Sequence, residues 1–292
     1  MTYHLLLGDY AYSSWSLRGW LLFEKFGIAR KQTMLDFSGQ DVAGQLADYA
    51  PARTVPTIIT PEGAVVSESL AIAEELASRH PEAGIWPSDP KARAVARNLA
   101  AEMHAGFGAL RSECPMGLRT AYVNTTPSDG VLFDLARIEE IWGHARDTCG
   151  CEGPWLCGEY SAADAFFAPV AARIAGFNLP VGEAAAAYVA AHLADPAFRR
   201  WRAMGLVRGE TLPWYAQDYD LGDWPGPKPL AAHAVEGTEA ENDACPYSGK
   251  PVQDVLELDG RRFGFCNPFC RDKTVADPEA WPAFMALVGG AH

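Results

Sequence analysis

Along the first eighty residues the apolar positions change period several times. Tyr3–Gly8 is a short apolar run closed by glycine, the pattern of a buried strand. From Trp15 to Phe26 the apolar positions Trp15, Leu17, Leu21, Leu22 and Phe26 recur at helical spacing, and Gly27 supplies a stop. Lys31–Phe37 reads as a second strand. Thr57–Thr60 and Ala64–Val66 flank Pro61-Glu62-Gly63, which is turn chemistry between two strands. Ser67–His80 returns to helical period, with Leu70, Ile72, Ala73 and Leu76 on one side. This order, β-α-β-(α)-β-β-α, predicts a small mixed sheet covered by helices.

His80-Pro81 through Asp89-Pro90 interrupts the pattern and reads as a linker. From Lys91 to about Leu206 the period is helical without a strand pattern. Lys91–Leu110, Val131–Thr148, Ser161–Ile174 and Glu183–Leu193 are the segments, and Asp195-Pro196 starts another with proline at the favoured first position. Leu221–Asn242 is rich in Pro, Gly, Ala and acidic residues and reads as an extended or irregular connector. Beyond it, Val255–Leu258 and Arg262–Phe265 flank Asp259-Gly260, a strong hairpin signal. A short helical stretch, Asp277–Leu287, follows. The expected modules are residues 1–82 (α/β), 88–215 (all-α), 216–242 (linker) and 243–292 (a small β-hairpin/helix cysteine module).

Composition narrows the function classes. Hydrophobic residues make up 49% of 292 residues, as in a folded globular chain. The net charge of −13 opposes phosphate backbones, so nucleic acid is not an expected partner. No apolar run is long enough to span a bilayer, and the N-terminus lacks the basic stretch of a signal peptide, so no membrane partner and a soluble, cytoplasmic setting are expected. Seven cysteines, an odd number, speak against a disulfide framework and for metal binding or core packing.

Three local features carry candidate chemistry. Tyr12-Ser13-Ser14-Trp15-Ser16-Leu17-Arg18 joins the first strand to the first helix. Hydroxyls there lie at a helix N-terminus, where unpaired N–H groups favour an anion and a thiol ionises more easily. The plainer reading is that one serine only caps the helix. Val55-Pro56 precedes a strand, at the position a sheet permits proline. Glu68-Ser69 opens a helix whose first N–H groups can hold a carboxylate, or simply opens a helix.

In this order and spacing the three features resemble the glutathione transferase superfamily, over about residues 3–210. The resemblance implies a thioredoxin-like N-terminal domain that binds glutathione and a helical domain that binds an apolar electrophile. It implies that Val55 and a cis Pro56 pair with the cysteinyl backbone of glutathione, and that Glu68 and Ser69 bind its γ-glutamyl carboxylate. Trp155 through Asp164 resembles the family's helix-initiating box, with Ser161 capping and Asp164 reciprocating. The Ser-Ser-x-Ser-x-Arg run resembles the serine-type zeta class, which includes maleylacetoacetate isomerases, with Trp15 where that class usually carries cysteine. On that likeness Ser13 is the first choice for the thiolate-stabilising hydroxyl, Ser14 and Ser16 are alternates, Arg18 anchors the site, and Tyr10 and Tyr12 compete for the role. Phe107, Met103 and Trp142 fit either an electrophile pocket or plain core, core being the commoner fate. The resemblance further implies a homodimer.

Cys245, Cys266 and Cys270 form a C-x20-C-x3-C pattern around the hairpin. A hairpin delivering one cysteine beside two from a knuckle is a metal-site arrangement, and a fifty-residue module gains stability from a metal. The pattern resembles TRASH/YHS-type domains, which implies thiolate ligation at these three positions. A closed zinc site wants a fourth ligand, for which Asp272, Asp243, water or glutathione are candidates; three thiolates also suit a soft ion such as Cu(I). The alternative is a vestigial module with packed cysteines. Cys149-Gly150-Cys151 and Cys157 lack suitable partners, and Cys114 reads as packing. Two functions therefore stand: a glutathione-activating enzyme (conjugation or thiol-dependent isomerisation), or a non-catalytic scaffold carrying a metal-handling module.

Overall fold

The computed structural model describes residues 2–39, 41–150 and 152–290. It divides into two compact units, Met1–Leu193 with Glu210–Pro225, and Ala194–Gly209 with Gly226–His292.

The first unit begins β1 (Tyr3–Leu7), α1 (Ser14–Glu24), β2 (Arg30–Met34), α2 (Val42–Gln45), β3 (Thr57–Ile59), β4 (Val65–Val66) and α3 (Ser69–Arg79). The sheet order is β2-β1-β3-β4, with β1 parallel to β2 and antiparallel to β3, and β3 antiparallel to β4. Leu5, Leu6 and Leu7 of β1 are fully buried, as expected of a strand covered on both faces. Leu17, Leu21 and Leu22 bury one side of α1. Gly19 permits the close approach that sets the site: a Cβ there would lie 2.5 Å from Pro56 Cβ.

Helices then dominate: α4 (Pro90–Ala105), α5 (Gly108–Glu113), α6 (Asp129–Cys149), α7 (Ala162–Gly176) and α8 (Glu183–Ala194). The single helix expected over Lys91–Leu110 is two. It breaks at Gly106 and Phe107, the latter in the left-handed region at φ 61°. Nearly every residue of α7 is buried, and α1 and α4 pack against it. The box at its start forms as expected: Ser161 caps, and Asp164 accepts from the Ser161 N–H at 2.9 Å, from the Leu156 N–H at 3.2 Å and from the Tyr188 hydroxyl at 2.8 Å. Met103, Phe107 and Trp142 are buried in the core. Two short strands depart from the expected all-helical and irregular stretches: β5 (Ala121–Val123) pairs antiparallel with β6 (Asp220–Gly222).

The second unit holds α9 (Pro196–Val207), β7 (Ala232–Val235), β8 (Asp254–Leu258), β9 (Arg261–Phe265), α10 (Pro268–Ala276) and α11 (Pro282–Gly289). The hairpin β8–β9 turns at Asp259 and Gly260, both at positive φ (51° and 75°), and β7 from the expected connector extends it to three strands. A helix begins earlier than the sequence pattern suggests. Asn267 caps α10 by accepting from the Cys270 N–H, and Pro268 takes the first position, so Cys270 lies within a helix. α9 joins this unit through Arg199, which pairs with both oxygens of Asp277 at 2.8 and 2.6 Å.

Candidate active site

In the first unit a cavity of about 570 Å³ opens where α1, the Val55–Pro56 loop and the start of α3 converge. Ser13, Ser14, Val55, Pro56, Glu68 and Ser69 all line it. The Val55–Pro56 peptide is cis. Ser16 and Arg18, by contrast, stand behind the wall.

The serines divide their work. Ser13 is the N-cap of α1: its Oγ accepts from the Ser16 N–H at 3.3 Å and bonds Ser16 Oγ at 2.8 Å. Ser16 is fully buried, and its Oγ accepts from the Gly8 N–H at 2.8 Å. Ser14 is half-buried and accepts from Arg173 Nη2 at 3.4 Å. Tyr10 does not line the cavity; Tyr12 does, but both hydroxyls already have partners. Tyr10 Oη accepts from Gln32 at 3.0 Å, and Tyr12 Oη accepts from the Leu212 N–H at 3.4 Å.

The opposite wall is built for an anion. α3 starts at Ser69 with no side-chain cap on its free N–H groups. Ser69 Oγ is buried on the cavity wall and has no hydrogen-bond partner among the described residues. A buried hydroxyl without a partner costs about 1–3 kcal/mol, a cost a ligand acceptor removes. Three guanidinium groups, Arg53, Arg111 and Arg173, line the cavity with one carboxylate, Glu68. Arg173 is fixed by the Cys114 and Pro169 carbonyls at 3.0 and 3.2 Å. Burial, then the Arg111 charge, pull its pKa down to about 10, so it remains charged at neutral pH.

Arg18 is 1% exposed and its guanidinium lies over Trp15 at 4.4 Å and Phe166 at 5.1 Å. Its Nε and Nη1 have no partner, and burial followed by the Arg173 and Arg111 charges lowers its pKa strongly. It anchors α1 to α7 rather than touching a ligand. Burial also lowers His104, against a raising effect from Glu68 at 3.6 Å.

The comparisons with known proteins bear on the fold. Residues 12–79 match the family model for the glutathione S-transferase N-terminal domain. A glutathione transferase homologue from Burkholderia, solved with bound glutathione, superposes over 69% of this chain and 96% of its own with a TM-score of 0.52 at 22% identity. Glutathione transferase Omega 3C from Trametes versicolor covers 74% of this chain and 92% of its own, with a TM-score of 0.54 at 20% identity. The fold is glutathione transferase-like. A probable maleylacetoacetate isomerase of Caenorhabditis elegans is 32% identical over 99 residues, 34% of this chain and 45% of that protein. Maleylacetoacetate isomerase of Dictyostelium discoideum is 28% identical over 110 residues, 37% and 50% of the two chains. The chain thus spans about half the length of the curated relatives it matches.

Sequence reasoning missed Arg111, Arg173 and Tyr215, all on the glutathione transferase-like cavity. Arg173 left a signal: it is the only arginine or lysine in the Ala162–Gly176 stretch, where Asp164 is the one other charged residue. Arg111 and Tyr215 left none. A larger groove, about 1000 Å³, runs along the linker beside Trp86, Cys149 and Cys157. Cys151 lies outside the described residues. No helix among the described residues is long and apolar enough to cross a membrane.

The second unit contains a thiol triad. The ligand atoms of Cys245, Cys266 and Cys270 lie within 4.8 Å of one another. Burial raises the Cys245 thiol, but N–H groups of Tyr247, Cys266 and Ser248, with the Ser248 hydroxyl, outweigh it and lower the net value. Burial and the neighbouring thiols push Cys270 up, against the lowering Lys273 charge. Asn267 Nδ2 donates to Cys266 Sγ at 3.2 Å. Asp272 pairs with Arg271 at 2.7 Å, and neither it nor Asp243 belongs to the group.

Proposed function

We propose that this protein binds glutathione in the 570 Å³ cavity and activates its thiol for attack on an electrophile. The observation that carries the reading is the unpartnered, buried Ser69 hydroxyl on the cavity wall at the uncapped start of α3. An anionic ligand terminus supplies the acceptor that Ser69 and the free N–H groups lack. The γ-glutamyl carboxylate fits that end, and the main chain of Val55 offers the cysteinyl segment an extended partner.

The thiol then comes to the start of α1. In the structure the Ser13 hydroxyl donates to Ser16 Oγ at 2.8 Å, and Ser16 Oγ also accepts from the Gly8 N–H. Hydroxyl protons rotate freely, and turning both keeps the Ser13–Ser16 bond while directing the Ser13 proton at the sulfur. The chain Gly8 N–H, Ser16, Ser13, thiolate is a cooperative series ending on a charge. Ser13 is thus the catalytic donor and Ser16 its positioning residue. Arg111 and Arg173 add positive potential to the cavity.

The thiolate forms a carbon–sulfur bond with the electrophile. In conjugation that bond remains: a leaving group departs with its electron pair, or a displaced π pair takes up a proton from water. In an isomerisation of the kind named for the two curated relatives, thiolate addition to a conjugated cis alkene shifts the π electrons onto the carbonyl oxygen, the former double bond rotates, and expulsion of the thiolate restores a trans alkene. The test is a titration of bound glutathione's thiolate absorbance from about pH 5 to 9, compared with the ordinary thiol value near 8.5. A saturable signal with a lowered pKa, reversed in Ser13→Ala, supports the reading; an unshifted thiol sinks it.

A second reading applies to the second unit, favoured by the thiol triad. Three thiol(ate)s close together, one with donors on its sulfur, fit a soft metal ion, and Cys245, Cys266 and Cys270 would hold it. Such an ion supplies cross-links between the Cys245 turn, the β9 end and α10. Copper(I) titration against a chromophoric chelator should show one tight site, lost in Cys266→Ser, and a rise in thermal stability on loading. Zinc retained through chelation instead would assign the site to zinc, and no uptake of either would leave the cysteines as packing.

A further inference from the structure

The segment 210–222, which contributes Tyr215 to the cavity lining, is a strap fastened at both ends. At its start Arg119 Nη1 donates to the Glu210 carbonyl at 2.9 Å, and the Leu212 N–H donates to Tyr12 Oη at 3.4 Å. At its end β6 pairs with β5, and Asn124 Nδ2 donates to Asp220 at 3.1 Å. Between these ties Tyr215 stacks on Tyr12, with ring centroids 4.5 Å apart and planes 28° from parallel. Tyr12 carries the Arg119 guanidinium at 5.2 Å from its centroid. The Tyr215 ring is therefore held in place, half-buried, on the wall it shares with Ser13 and Arg173.

The geometry points to Tyr215 as the specificity-determining residue for the electrophile: its ring is a fixed stacking platform that selects planar, conjugated or aromatic electrophiles. The inference rests on the transferase reading above and deepens it. A rigid aromatic ring costs little entropy to present, and a flat π-surface rewards a flat partner over a saturated one of equal size. The platform is pre-formed, so the preference should appear in binding rather than in the chemical step. The glutathione contacts proposed above are on α1, the Val55–Pro56 loop and α3, and none of them is Tyr215.

The experiment uses the full chain with two probes, 4-phenylbut-3-en-2-one and iodomethane, and the variants Tyr215→Leu and Tyr215→Phe. Tyr215→Leu should raise KM for the phenylbutenone by about three- to tenfold, the size of an aromatic pair's contribution. It should change iodomethane turnover much less, so that the ratio of kcat/KM for the two electrophiles shifts by about that factor, and Tyr215→Phe should keep the wild-type ratio. Fluorescence-detected binding of phenylbutenone without glutathione should weaken by the same factor in Tyr215→Leu. Equal losses with both electrophiles, or unchanged phenylbutenone binding, would overturn the platform. Platform binding without a shifted thiolate would instead sink the transferase reading alone.

Discussion

The Ser13–Ser16 relay makes a quantitative demand on three alanine variants. Ser13→Ala removes a hydroxyl–thiolate bond of about 1.5–3 kcal/mol, which raises the bound thiol's pKa by about 1–2 units at 1.36 kcal/mol per unit. Below both pKa values the thiolate fraction then falls about 10- to 100-fold. The more basic thiolate is also the better nucleophile, with a Brønsted slope near 0.4–0.5, so turnover falls only about 3- to 16-fold. The same variant loses the α1 cap, about 1 kcal/mol, or about 2–4 °C for a unit of this size. Ser16→Ala never touches the cavity, yet it removes the upstream bond of the series; with cooperative strengthening of 10–30%, the pKa should rise by about 0.1–0.7. It also strands the Gly8 N–H, at about 1–3 kcal/mol of stability. Ser14→Ala deletes one 3.4 Å contact from Arg173 and should shift neither quantity appreciably. Thiolate absorbance against pH and thermal unfolding of each variant measure both columns. A pKa that rises in Ser14→Ala and stays put in Ser13→Ala refutes the assignment of the donor. A Ser16→Ala enzyme with lowered stability and an unmoved pKa refutes the relay while leaving Ser13 its role.

Two further outcomes test the surroundings. Ser69→Ala should raise the glutathione Kd by about 3- to 30-fold while leaving the bound thiol's pKa in place, because the hydroxyl meets the far end of the ligand; calorimetric titration reads the first and absorbance the second. Burial, with the Lys25 charge adding, holds His192 down to about 3, so the folded state keeps it neutral where an unfolded chain protonates near 6.5. Its contribution is intact above about pH 6.5 and is lost as pH falls toward 3, about 2.7 kcal/mol by pH 4.5. His192→Phe, placed among Trp155, Tyr188 and Tyr160, should flatten that acid limb in denaturant melts, and an unchanged limb would count against the assignment.

The N-terminal sheet was legible because each of its elements is punctuated in the sequence. Gly8, Gly27 and Pro61-Glu62-Gly63 stop one period before the next begins, and the observed strands and helices fall between them. β5 and β6 were not legible: three-residue strands carry no period, and their existence rests on a pairing across about a hundred residues. The place of α9 was hidden for a related reason. Its helical pattern is the same whichever unit it joins, and the Arg199–Asp277 pair that settles the matter lies 78 residues apart in sequence.

The same limit explains what the candidate site disclosed. The three serines of Ser13-Ser14-Trp15-Ser16 are chemically alike, and spacing alone ranks them by proximity to a helix start. Their roles separate only in the structure, where the Gly8 N–H and the Ser13 hydroxyl both hold Ser16 Oγ behind the wall and Ser13 itself lines the cavity. The plainer reading of the motif, a serine that caps its helix, is therefore also what the structure shows, and it does not compete with catalysis. A cap accepts through oxygen lone pairs from the N–H groups of α1, while the thiolate takes the hydroxyl proton. One serine at a helix start can do both because acceptance and donation use different parts of the same group. The cap fixes the Oγ position, and the helix N-terminus adds the positive potential that makes donation to a sulfur anion favourable. Local structure and proposed chemistry thus draw on one hydroxyl, which is why the Ser13 and Ser16 variants should register in stability and in thiol pKa together.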